Sequence, residues 1–226
     1  VPTIITAPLT DLLSAINTLE ETIHLSQDGA CQNLGIHLEG PLINPGYAGI
    51  HPKEHIKLHD FEDFSALFSP NLKIITLAPE TLPADSQLIS ELTNRGIQVS
   101  AGHSGATAED MTKAIGQGLL GITHLFNAMR PFHHREPGIV GKALTESSLY
   151  VELIHDGHHV APETVKLVFQ SKPHSQIILT SDAIPAAGQT EGEQSHFAEQ
   201  FITIANGKAQ GQDGTWAGGT SFLHDC

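Results

Sequence analysis

Seven short runs rich in β-branched residues recur along this chain, separated by longer amphipathic stretches. They read as strands at Thr3–Thr6, Leu34–Glu39, Lys73–Ala78, Gln98–His103, Ile122–Leu125, Val151–Asp156 and Gln176–Asp182. Taking the ends at 6, 39, 78, 103, 124, 156 and 182, successive ends lie between 21 residues (His103 to His124) and 39 residues (Glu39 to Ala78) apart. That is room for one strand and one returning helix, so the strands are expected to run parallel. Helices are expected at Leu9–Leu25, Ala84–Arg95, Ala108–Gly116 and Pro162–Ser171. Thr107 ahead of Ala-Glu-Asp has the pattern of an N-cap followed by acids in the first turn, and Pro162 suits a first helical position.

The repeat restricts the fold to α/β, as a doubly wound sheet or a parallel barrel. The chain opens Val1-Pro2-Thr3-Ile4-Ile5-Thr6, inside a strand and without a basic leader. A TIM-like (β/α)8 barrel fits this, incomplete here, with its first strand and C-terminal part absent. After Pro185 the pattern changes. Asn206-Gly207 between Phe201–Ala205 and Lys208–Gln212 signals a hairpin, an excursion at about 197–215 from a partial barrel spanning 1–226.

Charge narrows the function. The chain carries 25 acidic and 11 basic residues, a formal net charge of −14, which argues against a nucleic-acid partner. A small phosphorylated ligand is still compatible, since one or two Arg residues hold a phosphate. No apolar run approaches the ~20 residues of a membrane helix, so no membrane partner is expected. Cys31 and Cys226 form no metal motif, and reduced thiols in a cytoplasmic protein are expected rather than a disulfide. Histidine, at 15 residues, outnumbers Lys and Arg together, which directs attention to metal or proton chemistry.

The polar residues gather at strand ends: Glu39, His103, His124 and Asp182. In a βα barrel those ends converge on one rim, where active sites form. Two His and one Glu make an open catalytic metal set that leaves a position for water. A bound divalent ion lowers the water's pKa toward ~7, and a nearby carboxylate must then carry the proton. Asp182, behind an apolar strand, fits that task. Each residue alone has a plainer reading: a strand-end His caps or faces solvent, Glu-Gly-Pro makes a turn, Asp caps the next helix, and Arg135 is a surface charge. Four such groups on successive βα units make the metal site the better reading.

The ordered motifs resemble the N-acetylglucosamine-6-phosphate deacetylase family of the amidohydrolase superfamily. They are His37-Leu-Glu-Gly-Pro41, Leu77-Ala-Pro-Glu80, Ser100-Ala-Gly-His-Ser104 and Thr123-His-Leu-Phe-Asn-Ala-Met129. Arg135-Glu-Pro-Gly138, Asp156-Gly-His-His-Val160, Thr180-Ser-Asp-Ala183 and Gly218-Gly-Thr-Ser221 follow in family order. The resemblance implies that Glu39, His103 and His124 hold one divalent metal ion, with zinc first among the possible ions. It implies Asp182 as acid/base and His51 beside the acetyl carbonyl. Asn127, Ala128 and Arg135 would surround the phosphate, with the backbone amides of Asn127 and Ala128 as donors. His159 would contact the sugar, while Ile50 and Trp216, Ala217, Gly218 and Gly219 would line the pocket; His158 reads as packing. The expected partner is a phosphorylated amino sugar, and the expected assembly a homodimer or larger homo-oligomer. The first barrel strand with its His-x-His pair is absent, so these residues support one metal. Another amide substrate, such as an N-acyl-amino acid or a cyclic ureide, and a non-catalytic metal-binding barrel remain open at this stage.

Overall fold

A computed structural model describes residues 1–25, 32–56 and 64–226. Cys31 lies outside the described residues. Seven parallel strands form one sheet in sequence order: β1 (Thr3–Ile5), β2 (Ile36–Glu39), β3 (Leu72–Leu77), β4 (Gln98–Ala101), β5 (Gly121–Ile122), β6 (Tyr150–Ile154) and β7 (Ile177–Thr180). Every neighbouring pair is parallel, as the spacing predicts. The unbroken order is that of an incomplete TIM-like barrel.

Among the described residues, five helices lie between strands: α1 (Leu9–Thr22), α2 (Leu88–Asn94), α3 (Ala108–Gly116), α4 (Gly138–Thr145) and α5 (Pro162–Ser171). The bounds of α3 and α5 are those the sequence predicts. At α3 the Thr107 side chain accepts from the Asp110 backbone N–H, and the Asp110 carboxylate accepts from the Thr107 N–H. This reciprocal cap satisfies amides that the helix start leaves unpaired. The helix expected at Ala84–Arg95 begins only at Leu88. α4 was not among the expected helices, because its Gly138 and Gly141 mask the pattern.

The core lies between sheet and helices. Leu38, Ile75, Val99, Ile122, Val151 and Leu153 are all fully buried, each contributing about 1.5–3 kcal/mol of transfer free energy. On the sheet's other face sit polar residues. His37 in β2 bonds Thr3 Oγ1 (3.1 Å) and Thr76 Oγ1 (2.8 Å), and Thr76 bonds Thr123 Oγ1 (2.7 Å). The chain crosses from β1 through β2 and β3 to the end of β5. Burial holds the His37 pKa down at about 4, against the pull of Glu39, so this imidazole is neutral.

Beyond β7 a second sheet has three antiparallel strands, β8 (Gln194–Phe197), β9 (Gln200–Ala205) and β10 (Lys208–Gly211). Asn206 and Gly207 both take positive φ at the β9–β10 turn, as a two-residue hairpin requires. Its own small core joins Ile202, Ile204 and Ala209 to Ile184, Ala217 and the loop residue Ile50. No helix among the described residues is long and apolar enough to cross a membrane.

Candidate metal and active site

The strands end before the chemistry begins. Those expected to run to His103, His124 and Asp182 stop at Ala101, Ile122 and Thr180. His103, His124 and Asp182 then take φ of 49°, 34° and 48°. Such left-handed backbone costs a non-glycine residue on the order of 1 kcal/mol, least for His and Asp, and turns the side chains off the strand path.

These turns bring three donors to one point. His103 Nε2 lies 3.1 Å and His124 Nε2 2.9 Å from the same oxygen, Glu39 Oε1, and the two nitrogens are 3.0 Å apart. All three residues are buried. His103 Nδ1 lies 2.9 Å from the Tyr47 carbonyl. A carbonyl only accepts, so Nδ1 carries a hydrogen, and in the neutral ring this leaves Nε2 bare for a cation. Two imidazole nitrogens and a carboxylate oxygen converging in this way need positive charge among them. A proton on His124 supplies some of it; a divalent cation supplies more. The set therefore fits a metal of the kind imidazole and carboxylate bind together. His51 adds a fourth group: its ligand atom lies with those of Glu39 and His103, all within 4.8 Å of one another.

The electrostatics separate the groups by role. Burial alone would raise the Glu39 pKa, but the His103 and His124 imidazoles on its Oε1 hold it well below the usual carboxylate range. Burial opposes charge on His124, yet the bond and charge of Glu39 outweigh it and push its pKa up to about 9. Burial drives His51 down to about 3, so it is neutral. Asp182 is the opposite of Glu39. Burial first, then the Glu39 charge, raise it to about 6, against the pull of His124, His159 and His103.

Glu39, His51, His103, His124 and Asp182 all face one cavity of about 1190 Å³. Ile50, Asn127, Ala128, His159, Trp216, Ala217 and Gly218 line it too. His159 is fixed by its 2.7 Å bond to Asp156 and meets Trp216 edge-on, with ring centroids 5.1 Å apart. Lys208 caps the Trp216 ring at 4.3 Å. His158 is exposed, outside the cavity lining.

Three expectations are corrected. Arg135 is exposed and absent from the lining of this cavity; its guanidinium donates to His134 Nε2 at 2.9 Å. Gly219 is behind the wall rather than in it: its N–H donates to the Asp182 carbonyl at 2.7 Å, and a Cβ there would stand 2.0 Å from the Ser181 carbonyl oxygen. The Asn127 backbone N–H already donates to the His124 carbonyl at 3.0 Å, so it is engaged in the turn that orients His124.

Three residues escaped the sequence reading. Glu152 lines the cavity, and burial, partly offset by His124, raises its pKa to about 7. Its signal was a lone charge inside an apolar strand. Glu80 accepts from Asn44 Nδ2 (2.9 Å), Ser104 Oγ (2.7 Å) and the Gly105 N–H (2.5 Å), tying the Asn44–Lys53 loop to the His103 turn. Thr6, buried, contacts His51.

No protein-family model matches the chain. It is 42% identical over 188 residues to the N-acetylglucosamine-6-phosphate deacetylase of Bacillus subtilis (strain 168), covering 82% of this chain and 47% of that protein. It is 35% identical over 222 residues to the N-acetylgalactosamine-6-phosphate deacetylase of Escherichia coli O157:H7, covering 97% and 58%. The crystal structure of N-acetylglucosamine-6-phosphate deacetylase from Thermotoga maritima matches with a TM-score of 0.90 at 35% identity, over 99% of this chain and 60% of that one. The chain thus spans about half the length of the curated relatives it matches. Over the stretch it spans, this chain belongs to the N-acetylglucosamine-6-phosphate deacetylase family.

Proposed function

We propose that the protein hydrolyses the acetamido group of N-acetyl-D-glucosamine 6-phosphate to glucosamine 6-phosphate and acetate. The observation that carries this is the convergence of Glu39, His103 and His124 within about 3 Å of one another in the cavity that Asp182 also faces. Those three residues would hold one divalent ion, zinc in the first instance, which supplies Lewis acidity and an acidified water. Asp182 takes the proton of the attacking water. Its raised pKa suits a group that must accept a proton and give it up again near neutral pH. It returns that proton to the nitrogen as the C–N bond breaks. His51 stands ready to donate to the carbonyl oxygen as it becomes anionic. Trp216 and His159 form the wall for the sugar, and Ala128 faces the phosphate end.

No Lys or Arg lines the cavity among the described residues, and Arg135 bonds the neighbouring His134. A homodimer, with Arg135 serving the phosphate of a second copy, belongs to this proposal, as does a cytoplasmic setting, since a phosphorylated sugar does not cross membranes unaided. The galactosamine-named relative favours a second reading, the C4 epimer as substrate. Acetate release from both epimers and from unphosphorylated N-acetylglucosamine, with the full-length protein and zinc, decides among them. The deacetylase reading requires a clear preference for a phosphorylated hexosamine. Release of acetate from none of the three would end it.

A further inference from the structure

Two neighbouring imidazoles in the cavity, His51 and His103, have ring centroids 4.4 Å apart, and opposite partners hold them from behind. His103 Nδ1 faces the Tyr47 carbonyl, an obligate acceptor, at 2.9 Å. His51 Nδ1 faces Thr6. The Thr6 backbone N–H, an obligate donor, lies at 3.4 Å and the Thr6 hydroxyl at 2.9 Å. The hydroxyl can also donate to the Glu39 carbonyl at 3.4 Å, so it is the backbone N–H, which can only donate, that makes Nδ1 an acceptor, and the nearer hydroxyl then adds a second donor to it. Thr6 and His51 are both buried, which shelters this contact from competing water. The approach also needs Gly40, since a Cβ there would stand 2.2 Å from Thr6 Oγ1.

The consequence is chemical. A neutral imidazole carries one hydrogen, and the nitrogen that accepts cannot also bear it. With its lone pair turned to Thr6, His51 Nδ1 is bare and Nε2 carries the hydrogen. That Nε2–H is directed into the site, 4.0 Å from Glu39 Oε2. His103 is set the other way: its Nδ1 carries a hydrogen to the Tyr47 carbonyl, which leaves Nε2 for a cation. Backbone groups thus distinguish two adjacent histidines that the donor-atom distances alone would count together as ligands.

We propose that Thr6 is a positioning residue that locks His51 in the Nε2–H tautomer, making His51 a hydrogen-bond donor to the oxygen of the reacting carbonyl and excluding it from the metal's ligand set. The role toward the carbonyl rests on the deacetylase reading above; the lock itself does not.

The test is ring-nitrogen NMR of His51 in the full-length protein at fixed neutral pH, with and without zinc. The expected result is a protonated Nε2 and a bare Nδ1 in both states. Thr6→Val should shift His51 toward the Nδ1–H form and lower kcat roughly 10- to 100-fold, with KM within about twofold and zinc content unchanged. Thr6→Ser should restore both tautomer and rate. A bare Nε2 in the wild-type protein, or zinc-induced loss of the Nε2–H signal, overturns the proposal without any variant having to fold. A protonated Nε2 in a protein that deacetylates nothing supports the lock and removes the deacetylase reading instead.

Discussion

Two carboxylates face the same cavity from different parts of the molecule and are tuned in opposite directions. Glu39, at the end of β2, is met by two imidazole nitrogens, which overcome burial and keep it ionised. Asp182, beyond β7, has its backbone carbonyl bound by the Gly219 N–H, while burial and the Glu39 charge raise its side chain. The β2–β5 region therefore holds charge in place, and the β7 region can exchange it. Separated pKa values on paired acids are how a site divides a permanently charged ligand from a proton carrier.

The sharpest way to break this contrast is to neutralise each carboxylate in turn. Glu39→Gln should abolish activity together with zinc content, measured by metal analysis. Asp182→Asn should retain zinc while kcat falls about 10²–10⁴-fold. Loss of zinc from the Asp182 variant, or near-normal turnover in it, would remove the division of roles. The next test is pH. A carboxyl raised to about 6 is protonated below that value and cannot accept a proton, so kcat should fall on the acid side of about pH 6.

The two regions should also differ in linkage. The folded pKa of His124 is raised, so its contribution to the stability of metal-free protein is full below the unfolded value near 6.5 and is lost as pH rises through about 9. Melting temperatures of metal-free protein across that window should decline, and zinc should suppress the decline. Smaller effects separate wall from frame. Trp216→Ala should raise KM about tenfold with kcat little changed, because it removes ground-state and transition-state contact alike. Glu80→Gln should cost about 1–2 kcal/mol of stability, read as a lowered Tm, since one acceptor for three donors is weakened.

Much of this architecture was readable in advance because it is local. Period, spacing and caps act within a βα unit, so α3 and α5 fell on their predicted bounds. Glu39, His103, His124 and Asp182 stood out because each interrupts or follows an apolar run. Glu152 did so too, as a single charge in Val-Glu-Leu-Ile, but a half-exposed strand face explains that pattern equally well. Glu80 carries no such signal, because its three donors come from two other loops. Arg135 does not line this chain's cavity, and sequence order says nothing about which site a loop residue serves.

By itself, the amino-acid sequence determined the order of strands and helices, the caps, the β9–β10 turn and the residue types available at the strand ends. These follow from backbone preferences and side-chain periodicity over a few residues. Tertiary structure alone decided that two imidazoles 64 and 85 residues from Glu39 meet at one of its oxygens, that Asp182 is raised while Glu39 is lowered, and that His51 and His103 meet opposite partners behind their rings. Distance, burial and partner identity set those properties, and none of them exists until the sheet has curled.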